Sequence, residues 1–115
     1  MKTKKELNNF EEFEFENKHF KIYTWENKKF GDLILNLPEN ERLATFQKFV
    51  KAINSGRFKI EQNKIYITKH FSKLQWSKKY CLTGLYLDRN LGLLSYSEGL
   101  ESSYDLGRVV VIIEK

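Results

Sequence analysis

Apolar and polar residues alternate early in the chain. Phe13 and Phe15, then Phe20, Ile22 and Thr24, are interleaved with charged or polar neighbours. A period of two is the signature of half-buried strands. Asn17-Lys18 stands between the two runs, and Asn tolerates the positive φ of a tight hairpin turn. Glu26-Asn27-Lys28 follows Trp25 in the same style. The pattern predicts strands near 12–16, 19–25 and 31–36, joined as a meander. The period then changes. Leu43, Phe46, Phe49, Val50 and Ile53 share one helical face, which predicts a helix over 38–54. Asn36 with Glu39 resembles a capping box, Pro38 suits a first turn, and Ser55-Gly56 supplies the stop.

Alternation returns after the helix. Phe58 and Ile60 alternate with Lys59 and Glu61, Gln62-Asn63 makes a turn, and Ile65 and Ile67 come back on the same face. Cys81 to Leu87 and Leu93 to Ser97 form a second predicted hairpin through Asp88-Arg89-Asn90. Ser95 to Asp105 is polar and reads mostly as loop. Val109 to Ile113 is an unbroken apolar, β-branched run, expected to be a central strand buried on both faces. Residues 69–79 carry only weak helical spacing at Phe71, Leu74 and Lys78, so a short second helix there competes with a loop. These elements give one α+β domain over 1–115, a mainly antiparallel β-sheet with one main amphipathic helix.

Composition narrows the class. With 115 residues, 41% hydrophobic and 15% aromatic, the chain carries enough apolar surface for a packed core. One proline and six glycines exclude collagen-like and linker compositions. A single cysteine, Cys81, excludes an intramolecular disulfide framework and a Cys-only zinc site. Apolar runs reach about five residues, against the ~20 that span a bilayer, so no membrane partner is expected. The basic start, Met1-Lys-Thr-Lys-Lys-Glu, is followed by no apolar signal-like region, and the lone thiol fits a reducing cytoplasm. Lys, Asn, Ile, Phe and Tyr dominate over Gly, Ala, Arg and Pro. That bias follows AT-rich codons and suggests a low-GC bacterium, or a phage or mobile element within one.

Charge is uneven. Residues 1–17 carry net −2, residues 18–90 net +9 and residues 91–115 net −2, within an overall +5. Between Arg57 and Tyr80 there are seven basic residues and one acid, Glu61. If 69–80 were helical, Lys69, Lys73, Trp76 and Tyr80 would share a face at i, i+4, i+7 and i+11. Lysines attract phosphates and exposed rings can stack bases. Arg57, Lys59, Lys64, Lys69, Lys73, Trp76, Lys78, Lys79 and Tyr80 are therefore the candidate binding residues. The competing reading has Trp76 and Tyr80 in the core with lysine stems draped over them.

Catalytic signatures are missing. No nucleotide-binding glycine motif, zinc-protease, hydrolase-elbow, paired-cysteine or calcium-loop pattern occurs. His19 and His70 have no ligand-spaced companion. Cys81 reads as a small buried hydrophobe. Glu12, Glu14 and Glu16 share one strand face, which reads as solvated rather than cation-binding. No cofactor or metal is implied. The expectation is a small non-catalytic protein whose basic central segment docks on nucleic acid or on a nucleic-acid-processing protein complex. An inhibitor of a host enzyme, carried by a phage or mobile element, is one concrete form. A basic ribonuclease-like toxin, using His70 or His19 with Arg57 or Arg89, is the first alternative. A structural assembly subunit, pairing between chains through the flat sheet or the Val109–Ile113 strand with 95–105 as an ordering arm, is the second.

Overall fold

A computed structural model describes residues 9–69 and 82–114. The chain opens with two strands, β1 (Phe10–Phe15) and β2 (Lys18–Thr24), paired antiparallel with Phe15 opposite Lys18. Glu16 and Asn17 both take positive φ, 50° and 63°. Such a two-residue turn matches the twist of the strands it joins. The next element departs from the sequence reading. Residues 31–36 do not continue a meander; a short helix, α1 (Phe30–Ile34), stands there. Phe30, Leu33 and Ile34 fall at i, i+3 and i+4, and all three are buried. The Phe30 and Gly31 amides donate to the Ser102 and Leu100 carbonyls, at 3.0 and 2.8 Å. Those backbone bonds to a distant loop replace a strand partner.

The predicted helix over 38–54 divides. Its first part forms a strand, β3 (Glu41–Leu43), and only Phe46–Asn54 is helical, as α2. Thr45 is the actual N-cap; its side chain accepts from the Lys48 amide at 3.4 Å. The end was read correctly, since Ser55 caps the helix and Gly56 takes φ 82°. Leu43 is on the helical spacing by coincidence of period, and its backbone pairs with β7 (Gly107–Ile113) instead. Phe58 and Ile60 do not form a hairpin arm either. They pack their side chains under α2, and β4 (Ile65–Lys69) pairs elsewhere. The second predicted hairpin does form, from β5 (Leu82–Asp88) and β6 (Gly92–Glu98). Strand continues to Glu98, so the loop is shorter than the predicted 95–105.

Among the described residues one mixed sheet of seven strands results, in the order β1-β2-β7-β4-β5-β6, with β3 also on β7. It is not purely antiparallel, because β4 runs parallel to β7. β3 and β4 share one edge of β7. β4 pairs with residues 107–109 and β3 with residues 111–113. Ala44 bridges the gap, donating to Val110 O at 2.9 Å and accepting from the Lys69 amide at 2.7 Å. β7 is therefore enclosed at both edges. It is also enclosed on both faces. Val109 and Val111 join Tyr23, Trp25, Phe30 and Leu33 in one cluster, beneath α1 and the 99–106 loop. Val110 and Ile112 join Phe20, Ile22, Phe49 and Tyr66 in the other, beneath α2. The central strand expected at 109–113 is thus present, and its position excludes it as a pairing edge between chains. The expected second helix over 69–79 lies outside the described residues, apart from Lys69 at the end of β4. No described helix is long and apolar enough to cross a membrane.

Candidate functional site

Lys73, Trp76, Lys78, Lys79 and Tyr80 of the basic-aromatic stretch lie outside the described residues, as do His70 and Cys81. The other four basic candidates can be placed. Arg57 follows the α2 cap, and its Nε donates to the Glu14 carbonyl at 2.6 Å, tying this segment to the end of β1. Lys59 is exposed on the same segment. Lys64 is committed to an ion pair with Glu61. Its ammonium holds the Glu61 carboxyl below the usual glutamate range. Lys69 is exposed at the far end of β4, beside a groove of about 380 Å³ that Arg42, Glu39 and Glu41 also line. Lys64 and Lys69 therefore flank opposite ends of a strand and do not meet.

A different group of cations does meet. Lys18 opens β2, Arg42 lies in β3 and Lys48 in the first turns of α2. Lys18 and Arg42 line a cavity of about 340 Å³ at the end of the sheet, together with Asn17, His19 and Glu114. The Lys48 ammonium lies close enough to both Lys18 and Arg42 for their charges to act on it. Burial, then the Lys18 and Arg42 charges, push Lys48 below the ordinary lysine range. Glu114, 2.8 Å from Arg42, is the acid among them. Three positive groups with one carboxylate leave an excess that an incoming anion would relieve. These residues are separated by 24 and 6 positions. No spacing rule joins them, and only the topology brings them to one end.

The layers around the sheet extend this asymmetry. Residues 44–60, the α2 layer, contain Lys48, Lys51, Arg57 and Lys59 and no acid. Residues 98–106, on the opposite face, contain Glu98, Glu101 and Asp105 and no base. The signal was available in the sequence, but it needs the two faces to be told apart.

The remaining polar cluster is closed. Tyr23 donates its hydroxyl to Glu41, whose other oxygen lies 3.3 Å from Lys21 Nζ. Lys21 also sits over the rings of Phe10 and Tyr23, at 4.1 and 4.8 Å. Burial, followed by the Glu41 carboxylate, drives the Tyr23 hydroxyl far above the usual tyrosine range. The cluster joins β2 to β3 across β7. His19 has both ring nitrogens facing carboxylates, Glu12 at 3.0 Å and Glu14 at 3.4 Å. These contacts join β1 to β2 across the hairpin, and His70, the other candidate acid–base, lies outside the described residues. Among the described residues, no group of three or more His, Cys, Asp or Glu side chains is arranged to hold a metal ion.

No family model, no curated protein and no solved structure matches this chain.

Proposed function

We propose that this protein is a binding module for the phosphate backbone of nucleic acid, engaged through the α2 side of the molecule. The convergence of Lys18, Arg42 and Lys48 carries the reading, because three cations there share one carboxylate, Glu114, and an incoming anion would relieve the excess. The acid-free layer from Ala44 to Ile60 provides the surrounding field. Lysine and arginine contacts to phosphates release counterions, so affinity falls linearly with the logarithm of salt. Arg57 and Lys59 belong to the same layer and would add contacts. Contact with phosphate alone carries no sequence information, so sequence selectivity is expected to be weak.

Anisotropy of a labelled oligonucleotide, measured across a salt series, tests this. Three phosphate contacts would give a log–log slope between about −2 and −3. The variant with Lys18, Arg42 and Lys48 all changed to Ala should lose most of that slope. Lys29→Ala removes a cation paired with Glu101 on the opposite layer, at 2.8 Å, and should leave it unchanged. No salt-dependent binding by the parent protein would refute the proposal. Loss of slope only when Lys73, Lys78 and Lys79 are changed would move the contact to that stretch.

A further inference from the structure

The two outer strands of the sheet are chemically unlike. β1 carries Glu11, Glu12 and Glu14, all exposed, with Glu16 in the turn beyond it. Carboxylates along an edge keep another strand from docking there. β6 has no such protection. From Gly92 to Ser97 it holds no charge and no proline, its one carboxylate being Glu98 at the last position, which accepts from the Tyr104 hydroxyl, and among the described residues nothing pairs with its outer side. Alternate residues of such a strand turn their amide and carbonyl groups outward, unpaired. Apolar surface accompanies them: Leu91 is 73% and Tyr96 46% exposed. The Tyr96 ring is held flat against Tyr86, with centroids 4.8 Å apart, so it is ordered before any partner arrives.

From this edge we propose that β6 pairs antiparallel with β6 of a second copy of this chain, about a two-fold axis at Ser95. The sequence of the strand is complementary to itself in that register. Ser95 faces Ser95, Leu94 faces Tyr96 of the second copy, Leu93 faces its Ser97 and Gly92 its Glu98. Leu94 and Tyr96 lie on the same face of the sheet, where an aliphatic–aromatic cross-strand pair is favourable. No like charges come opposite one another. The same operation on β1 would set glutamates against glutamates. Closed two-fold pairing also satisfies the edge, leaving no further strand to extend.

Sedimentation equilibrium from about 1 μM to about 1 mM should show the mass rising from one chain to two, the range expected for a small interface. Ser95 is exposed, so Ser95→Lys and Ser95→Glu should fold as the parent does, which circular dichroism verifies. Each variant alone sets like charges on the axis and should weaken association by about tenfold. Mixing the two should restore a dimer of one chain of each kind. A parent protein monomeric at every concentration overturns the proposal and leaves the edge to an unlike strand. Undiminished dimerisation of Ser95→Lys overturns it too, because the contact would then lie elsewhere. Failure of the mixed variants to associate overturns the register.

Discussion

Glu41 meets Lys21 and Tyr23 above β7, with its own side chain 6% and that of Lys21 13% exposed. Removing one partner of such a buried pair leaves the other charged and without compensation. Glu41→Leu should therefore cost about 3 kcal/mol in a urea titration. Tyr23→Phe removes only a donor to the carboxylate and should cost about 1–2 kcal/mol. The tyrosines also set an alkaline limit. A hydrogen bond to Glu98, then burial, raises Tyr104 to about 12. A hydrogen bond with Tyr96, then burial, raises Tyr86 to about 12. Their unfolded counterparts ionise near 10, so the folded state holds these protons longer. That stability is complete below pH 10 and is lost as pH climbs through about 12. The urea midpoint should fall across that window, with tyrosinate absorbance rising at the same time. Lys48 has the opposite sign. Its depressed value means that burial, and then the Lys18 and Arg42 charges, oppose folding while the amine is charged. Lys48→Met should raise Tm at pH 7 by about 1–3 °C, and the gain should vanish as pH approaches the ordinary lysine range.

Among the elements, β7 is the one every other part depends on. It begins where Gly107 passes the Trp25 carbonyl. A Cβ there would lie 2.4 Å from that oxygen and 2.9 Å from the Phe30 ring. Gly107→Ala should cost about 3 kcal/mol or more. The helix cap offers a smaller test. Thr45→Ala should cost about 0.5–1 kcal/mol, the lower half of the usual range, since its bond to the Lys48 amide is 3.4 Å long. The same comparison shows what local pattern can deliver. α2 was legible because Phe46, Phe49, Val50 and Ile53 repeat with the helical period and Gly56 ends them. β3 was not. Leu43 keeps the helical spacing, but residues 41–43 hydrogen-bond to a strand nearly 70 positions later. The 31–36 misreading has the same origin, for Leu33 and Ile34 suit a strand or a helix equally until the 99–106 loop claims the backbone of Phe30 and Gly31.

At the scale of the whole molecule, the segments that cover the two faces of the sheet differ in charge, residues 44–60 holding no acid and residues 98–106 no base. The molecule also has a gradient of enclosure. β7 is covered on both faces and both edges, whereas β1 and β6 lie at the margins. Amide hydrogen exchange should be slowest in Val109–Ile112 and fastest in β1 and the outward amides of β6. Protection of β6 that rises with protein concentration would independently report the pairing proposed for it. The candidate binding surface belongs to this scale as well. Of the nine residues the sequence nominated, Arg57 and Lys59 lie on the α2 layer. Lys64 is spent on Glu61, Lys69 borders a groove that Arg42 also lines, and the other five lie outside the described residues. Among the described residues, Lys18, Arg42 and Lys48 come together at one end, and chain proximity had selected none of them.

The sequence by itself determined the hairpins at both margins, the amphipathic helix ending at Gly56 and the buried run at 109–113. Each rests on period and turn chemistry within a few adjacent residues. Tertiary structure decided that β4 runs parallel to β7, that β3 interrupts the expected helix, and which cations share one end. Those outcomes depend on backbone hydrogen bonds and on charges brought together from far apart in the chain. A local pattern holds no record of either, because it states which face a residue turns inward and not what that face will meet.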